Sequence, residues 1–213
     1  MHPRERALRF LDSDFEAFYP WVGESYEPGG LLLVGESHFD KRYPYERSPS
    51  EAERFETIDL IAGRSTWTRD DEKRFVLRGE SFLDQLDIVG NPKGDPWQHI
   101  SFCNFCNKYM PFSSGKRHEP SEETLEASIK PFRQIAEAVQ PRWIVVSSYL
   151  AFDRLMNFSV IEKKLLPAGN SRAEKARIDF NFEHDIFPTM HFSRSSATEA
   201  ANRIRQLMLE NYP

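Results

Sequence analysis

Several polar residues follow directly on apolar stretches of the chain, and their types suit acid–base chemistry. Gly35-Glu36-Ser37-His38 follows the longest apolar run, and Asn104 and His191 stand at the ends of two later strand-like segments. A carboxylate and a histidine that converge from two such positions can activate water and stabilise an anionic leaving group. An asparagine amide carries both a donor and an acceptor, which suits recognition of the edge of a pyrimidine. The pattern indicates a site built from Glu36, Asn104 and His191.

These residues converge only if the apolar segments are parallel strands. Leu31–Val34 and Trp143–Val146 are continuously apolar, as strands buried on both faces of a parallel sheet are. Residues 99–105 alternate, and residues 185–190 resemble a weaker strand. Carboxyl ends of parallel strands meet at one edge of the sheet, so four polar segments should converge there. They are residues 35–40, 104–109, 147–149 and 190–196.

Helical patterns separate the strands and complete the predicted fold. They cover residues 5–18, 51–62, 71–88 and 149–158, together with a helix that Ser121 caps and Pro141 ends, and a capping box at Ser196 opens a final helix. Pro131 predicts a kink or a broken backbone bond in its helix, and residues 107–120 are expected to form a loop. The alternation predicts one domain over residues 1–213. Its class is α/β, a three-layer α/β/α fold with a central four-stranded, mostly parallel sheet, and the two continuously apolar strands lie inside.

Composition and charge exclude several classes of protein. The chain has 213 residues, of which 39% are hydrophobic and 29% charged, and this balance is typical of a globular domain. No apolar run approaches the length needed to span a bilayer, and the first residues are charged, so we expect a cytoplasmic protein. The net charge is −5, with −7 in residues 1–100 and +2 in residues 101–213. Without a strong basic stretch, tight non-specific binding to nucleic acid is not expected.

The two cysteines form a Cys-x-x-Cys pair, Cys103 and Cys106. A structural zinc site would need two further ligands nearby, and a redox pair would favour the start of a helix. This pair lies at the end of a predicted strand. Two reduced core cysteines are therefore the expected interpretation, with metal or redox chemistry as the alternative.

Residues 31–205 resemble the uracil-DNA glycosylase superfamily. Gly35-Glu36-Ser37 is similar to the start of a family loop that positions the attacking water, and Asn104 ends a strand as the family's base-pairing asparagine does. Phe75 resembles the family phenylalanine that stacks on the base. The stretch from Glu119 to Val146 matches in order, spacing and type, through Glu119-Pro120-Ser121-Glu122-Glu123, Lys130-Pro131-Phe132 and Gln140-Pro141-Arg142-Trp143-Ile144-Val145-Val146.

The last family motif, His-Pro-Ser, is similar to His191-Phe192-Ser193. Three features depart from the family pattern. His38 and Phe192 stand where the family has proline, and no leucine follows the last motif to fill the gap left by a flipped base; Arg194 stands nearby. The iron–sulfur branch of the family needs four cysteines, so no cluster is expected in this chain.

The resemblance implies a protein that hydrolyses the N-glycosidic bond of a damaged or deaminated base in DNA. It implies Glu36 and His191 as catalytic residues. The implied substrate-binding residues are Gly35, Ser37, His38, Phe75, Asn104 and Ser193, and the implied DNA contacts are Arg194 and Ser195. No metal or cofactor is expected, DNA is the expected partner, and the protein is expected to be a monomer.

Two other functions fit the residues. The first keeps the fold without the chemistry, as a non-catalytic protein that binds nucleic acid or a nucleobase. The second is an esterase with Ser37 as nucleophile, because Gly35-Glu36-Ser37 resembles the Gly-Asp-Ser block of an esterase family on a similar sheet. That family has an aspartate three residues before its last histidine, where this chain has Pro188.

Overall fold

A seven-stranded sheet with helices on both faces organises the part of the chain that the structure describes. The computed structural model describes residues 1–40, 44–63, 70–87, 94–113, 116–157, 160–165, 174–179, 183–189 and 197–211. The strands are β1 (Trp21–Val22), β2 (Leu31–Gly35), β3 (His38–Asp40), β4 (Ile100–Asn104), β5 (Tyr109–Ser113), β6 (Lys116–Arg117), β7 (Trp143–Val146), β8 (Val160–Leu165), β9 (Glu174–Asp179) and β10 (Glu183–Pro188). The helices are α1 (Pro3–Phe10), α2 (Glu56–Ala62), α3 (Asp70–Leu86), α4 (Glu122–Val139), α5 (Tyr149–Met156) and α6 (Ala197–Asn211), with short 3₁₀ turns at Glu53–Phe55 and Pro96–His99.

The main sheet has the strand order β1-β4-β2-β7-β10-β9-β8. Its centre, β4-β2-β7-β10, is parallel throughout, whereas β1, β9 and β8 are antiparallel to their neighbours. The α/β class and the four parallel strands are confirmed. The prediction of four strands was incomplete, because an antiparallel strand or hairpin extends each side of the parallel core.

The two continuously apolar strands lie in the middle of this sheet, as expected. Leu31–Val34 are at most 2% exposed, and Ile144–Val146 are fully buried. Contacts divide the helices into two groups. α3 packs on α6, while α4 contacts both α5 and α1. In the sheet, β4 lies on one side of β2 and β7 lies on the other. The chain therefore crosses over in opposite directions, and right-handed crossovers in opposite directions place their helices on opposite faces of the sheet.

Pro131 lies inside α4, and the helix continues through it to Val139. A proline has no N–H, so the Ala127 carbonyl loses its helical hydrogen bond. The side-chain amide of Asn107 donates to that carbonyl over 3.5 Å. The Ser128 hydroxyl in turn donates to Asn107 Oδ1 over 3.0 Å. The predicted broken backbone bond is therefore compensated from outside the helix.

Two local predictions were wrong. Residues 107–120 contain β5 and β6, which form a second sheet with β3. The helix predicted over residues 5–18 ends at Phe10, and the chain turns at Asp12, whose carbonyl accepts from Phe15 N. Aspartate and serine at 12–14 favour that turn because their short polar side chains compete for backbone hydrogen bonds.

Candidate functional site

Backbone hydrogen bonds align the carboxyl ends of the four parallel strands. Ser147 N donates to Val34 O, and Thr189 N donates to Val146 O, both over 2.8 Å. Gly35 is paired with Asn104 in the β2–β4 register. Continuing each register by one residue places four positions in one row across the sheet edge. They are Asn104, Gly35, Ser147 and Thr189.

Gly35 makes room for the side chain of Asn104. A Cβ atom at Gly35 would lie 2.2 Å from Asn104 Oδ1 and 3.2 Å from Phe102 Cζ. The amide of Asn104 therefore leans over the backbone of β2, into space that any other residue at position 35 would fill. Both residues were predicted to bind substrate, and the structure brings them into contact.

Glu36 is held by the start of α5. The Ser148 hydroxyl donates to Glu36 Oε2 over 2.6 Å and accepts from Ala151 N over 3.3 Å as the N-cap of that helix. A carboxylate at a helix N-terminus is stabilised by the helix dipole. This contact also joins the ends of β2 and β7, two neighbouring strands whose following connections run in opposite directions along the sheet. Doubly wound sheets bind their ligands at such a point.

Glu36 and Asn104 approach the strand ends from opposite faces of the sheet. Phe102 is two residues before Asn104, so both lie on one face, and its ring centroid is 5.5 Å from that of Phe75 on α3. Glu36 instead contacts Ser148 of the α5 layer. The predicted site residues Phe75, Asn104 and Gly35 are thus grouped on the α3 face, with the carboxylate across the edge.

Two serine hydroxyls at this edge are buried without a hydrogen-bond partner among the described residues, those of Ser37 and Ser147. A serine nucleophile needs a base within hydrogen-bonding reach. The described residues supply none for Ser37. They give no support to the esterase interpretation.

His38 lies in an aromatic cluster. Its ring centroid is 4.2 Å from that of Phe18 and 6.0 Å from that of Tyr109, and its Nε2 is hydrogen-bonded to Thr57 Oγ1 over 2.9 Å. Only 6% of His38 is exposed. Burial lowers the pKa of His38 from 6.5 to about 3. The side chain is therefore neutral near pH 7, and it contacts this cluster rather than Glu36 or Asn104.

The surroundings of His38 contain a hydroxyl, an imidazole and a carboxylate in the order of a hydrolase triad. His38 Nδ1 lies 3.8 Å from Glu56 Oε1, which is longer than a hydrogen bond. Thr57, which would be the nucleophile, is fully buried. A substrate cannot reach it, so this arrangement is structural. Tyr109 donates to the other Glu56 oxygen and fixes that carboxylate.

Cys103 and Cys106 are free, buried thiols, which confirms the interpretation as core cysteines. Burial raises the pKa of both, and the charges of Glu36 and Glu46 raise that of Cys106 further. A neutral buried thiol is a poor nucleophile and metal ligand. Among the described residues, no group of three or more His, Cys, Asp or Glu side chains is placed to hold a metal ion.

Four predicted residues lie outside the described ranges: His191, Ser193, Arg194 and Ser195. The chain leaves β10 at Thr189, level with the row that contains Asn104 and Gly35. Ser147 and Ser148 were not predicted as site residues, although their segment was expected at this edge. The available signal was two consecutive serines directly after a buried strand.

Comparison with known proteins gives no family for this chain: no protein-family model matches it, and neither does any curated protein. No helix in the described ranges is long and apolar enough to cross a membrane.

Proposed function

We propose that this protein is a divergent member of the uracil-DNA glycosylase superfamily that hydrolyses the N-glycosidic bond of a damaged or deaminated base in DNA. The observation that carries the proposal is the Glu36 carboxylate fixed by the Ser148 hydroxyl at the point where β2 and β7 diverge. The resemblance in sequence motifs and the four parallel strands support the same fold and function.

In this proposal, water activation and base recognition take place on opposite faces of the sheet, at the strand ends. Glu36 orients a water molecule towards the sugar carbon of the scissile bond. Ser148 keeps one oxygen of that carboxylate occupied and leaves the other for water. The two groups that contact the base, Asn104 and Phe75, approach from the α3 face.

Asn104 is suited to select the base because its amide has no hydrogen-bond partner among the described residues and leans over Gly35. A base flipped out of the stack is read through its Watson–Crick edge and held by stacking. Phe75 is half-buried and supplies an aromatic ring beside Phe102. His191 would stabilise the departing base anion, and Ser193, Arg194 and Ser195 would contact substrate and DNA.

An abasic-site assay tests the proposal. Single- and double-stranded oligonucleotides carrying uracil, hypoxanthine or xanthine are incubated with the protein and then cleaved chemically at abasic sites. We expect Glu36→Gln to lower kcat by about 10²–10⁴-fold with nearly unchanged DNA binding, because the carboxylate acts mainly in the transition state. Asn104→Asp replaces an amide donor by an acceptor and should change which base is released. Glu126→Gln, an exposed residue of α4, is the matched control.

Two results would contradict the proposal. If no base is released from any oligonucleotide while DNA or a free nucleobase still binds, the non-catalytic binding protein is the better description. If Glu36→Gln is as active as the Glu126→Gln control, the assigned carboxylate is wrong.

A further inference from the structure

Two polar side chains flank Gly35 at the carboxyl edge of the sheet. Gly35 is paired with Asn104 of β4, and on its other side Ser147 follows β7 in the same row. The ladder continues to Ser147, because its N–H donates to Val34 O over 2.8 Å. Among the described residues, neither the Asn104 amide nor the Ser147 hydroxyl has a hydrogen-bond partner. The two groups therefore stand on either side of a residue without a side chain.

The strand register places both side chains on the α3 face of the sheet. Leu33 is paired with Phe102 of β4 and with Val145 of β7, and directly paired residues of parallel strands share a face. Asn104 lies two residues after Phe102, and Ser147 lies two residues after Val145. Alternate side chains of a strand return to the same face, so Asn104 and Ser147 face the same space.

Gly35 leaves the space between these two side chains open. Asn104 Oδ1 lies 2.2 Å from the position that a Cβ atom of Gly35 would take. Neighbouring strands are about 4.8 Å apart, so Oδ1 is about one strand spacing from the Cβ atom of Ser147. The serine Oγ extends one bond beyond that Cβ, and rotation about χ1 moves it towards or away from Asn104. The hydroxyl can therefore approach Oδ1 to hydrogen-bonding distance without movement of the backbone.

Burial favours this pairing. Ser147 is fully buried, and a buried hydroxyl without a hydrogen bond lowers the stability of a fold. Donation to Asn104 Oδ1 removes that penalty and fixes the amide at the same time. Asn104 is half-buried, so a base can reach its amide, whereas Ser147 acts only through Asn104.

We propose that Ser147 is a positioning residue that donates a hydrogen bond to Asn104 Oδ1 and so fixes the orientation of the amide that reads the base. The proposal rests on the proposed function, which supplies the base. With its oxygen held over Gly35, the amide presents its nitrogen as a donor. That donor favours a base with a carbonyl oxygen at this edge, such as uracil, over one with an amino group, such as cytosine.

The first measurement does not depend on catalysis. The side-chain amide signals of Asn104 are identified by NMR through their loss in Asn104→Asp, and then compared in the wild type, Ser147→Ala and Ser147→Thr. We expect Ser147→Ala to shift these signals and speed their hydrogen exchange. Ser147→Thr keeps the hydroxyl and should restore the wild-type signals. The matched control is Ser101→Ala, which removes a fully buried hydroxyl of β4 that donates to Trp21 O over 2.8 Å. It should leave the Asn104 signals unchanged.

Urea unfolding separates positioning from a structural role. Ser101→Ala removes a hydrogen bond that is complete in the free protein, so its urea midpoint should fall. Ser147→Ala removes a hydroxyl whose burial is unfavourable without a partner, so its midpoint should fall less than that of Ser101→Ala. A serine that acts only in packing and hydrogen bonding of the fold would show the same loss as Ser101.

The second measurement is the abasic-site assay with uracil and cytosine at the same position of one oligonucleotide. Ser147→Ala should raise KM for the uracil substrate by about 2–10-fold with little change in kcat, because one neutral hydrogen bond orients a group that binds the base before and during the reaction. Its preference for uracil over cytosine should fall by a similar factor. Ser147→Thr should keep the wild-type values.

The positioning role is overturned if Ser147→Ala leaves the Asn104 amide signals unchanged, whether or not any base is released. It is also overturned if an active Ser147→Ala variant keeps the wild-type preference between bases, or if Ser101→Ala alters the Asn104 signals equally. If the wild type releases no base while Ser147→Ala shifts the signals and Ser147→Thr restores them, the positioning role stands and the proposed glycosylase activity fails.

Discussion

Acid should destabilise this protein through His38. In the folded state burial lowers the pKa of this side chain from 6.5 to about 3. His38 binds a proton near pH 6.5 in the unfolded chain but not in the folded chain. The stability that the neutral His38 contributes is therefore fully present above pH 6.5, and this contribution is lost as the pH falls from about 6.5 towards about 3.

The expected loss can be calculated from the two pKa values. Proton linkage gives a decrease in the free energy of unfolding of about 1 kcal/mol at pH 5.5 and about 3 kcal/mol at pH 4.5, relative to pH 8. The groups facing the ring are Phe18, Thr57, Tyr109 and Glu56. Among the described residues that face the ring, Glu56 alone carries a charge that would favour a charged imidazole. It is 40% exposed and 3.8 Å away, so desolvation outweighs it.

The measurement is urea unfolding of the wild type and of His38→Gln at several pH values between 8 and about 4.5. Glutamine places an amide near the position of Nε2 and can keep a hydrogen bond to Thr57, but it does not titrate. Carboxylates titrate in both proteins, so the difference between the two curves isolates His38. Parallel curves over this range would show that the folded protein binds a proton at His38 as readily as the unfolded chain does.

Three further predictions concern local geometry. Gly35→Ala should lower base excision by displacing the Asn104 amide while leaving the urea midpoint almost unchanged, because the clash is with side-chain atoms. Gly23→Ala should instead lower the free energy of unfolding by about 1–3 kcal/mol or more, because its Cβ would meet backbone atoms of residues 97 and 98. Equal stability of Gly35→Ala and Gly23→Ala would contradict this contrast. Asn107→Ala should lower the free energy of unfolding by about 1–2 kcal/mol in the wild type. The loss should be smaller in a Pro131→Ala background, where residue 131 regains an N–H for the Ala127 carbonyl. A double-mutant cycle with no coupling between the two substitutions would refute the compensation.

The parallel core could be predicted because its strands carry their own signal. Leu31–Val34 and Trp143–Val146 are apolar at every position, which only a strand covered on both faces tolerates. The hairpin of β8 and β9 has no comparable signal, since many of its residues are charged and it is specified by pairing with β10. β5 was missed for a similar reason: its partner β3 lies about 70 residues earlier in the chain.

The sequence predicted which segments lie at the candidate site, but it did not predict which side chains contact one another there. The strand ends follow from the hydrophobic pattern, so the position of Glu36 and Asn104 at the carboxyl edge of the sheet could be predicted. Ser148 resembles an ordinary helix cap, and only the structure reveals its second bond to Glu36, 112 residues away in the chain. The burial of His38 similarly depends on Phe18 and Thr57, which no local pattern connects to it.

The β8–β9 hairpin makes β10 an inner strand of the sheet. Without the hairpin, β10 would be an edge strand, and its amides would exchange with solvent when the edge frayed. With β7 on one side and β9 on the other, β10 opens only when one of two ladders separates. Amide hydrogen exchange in β10 should therefore be as slow as in β7. The segment that leads to His191 thus starts from a strand anchored on both sides.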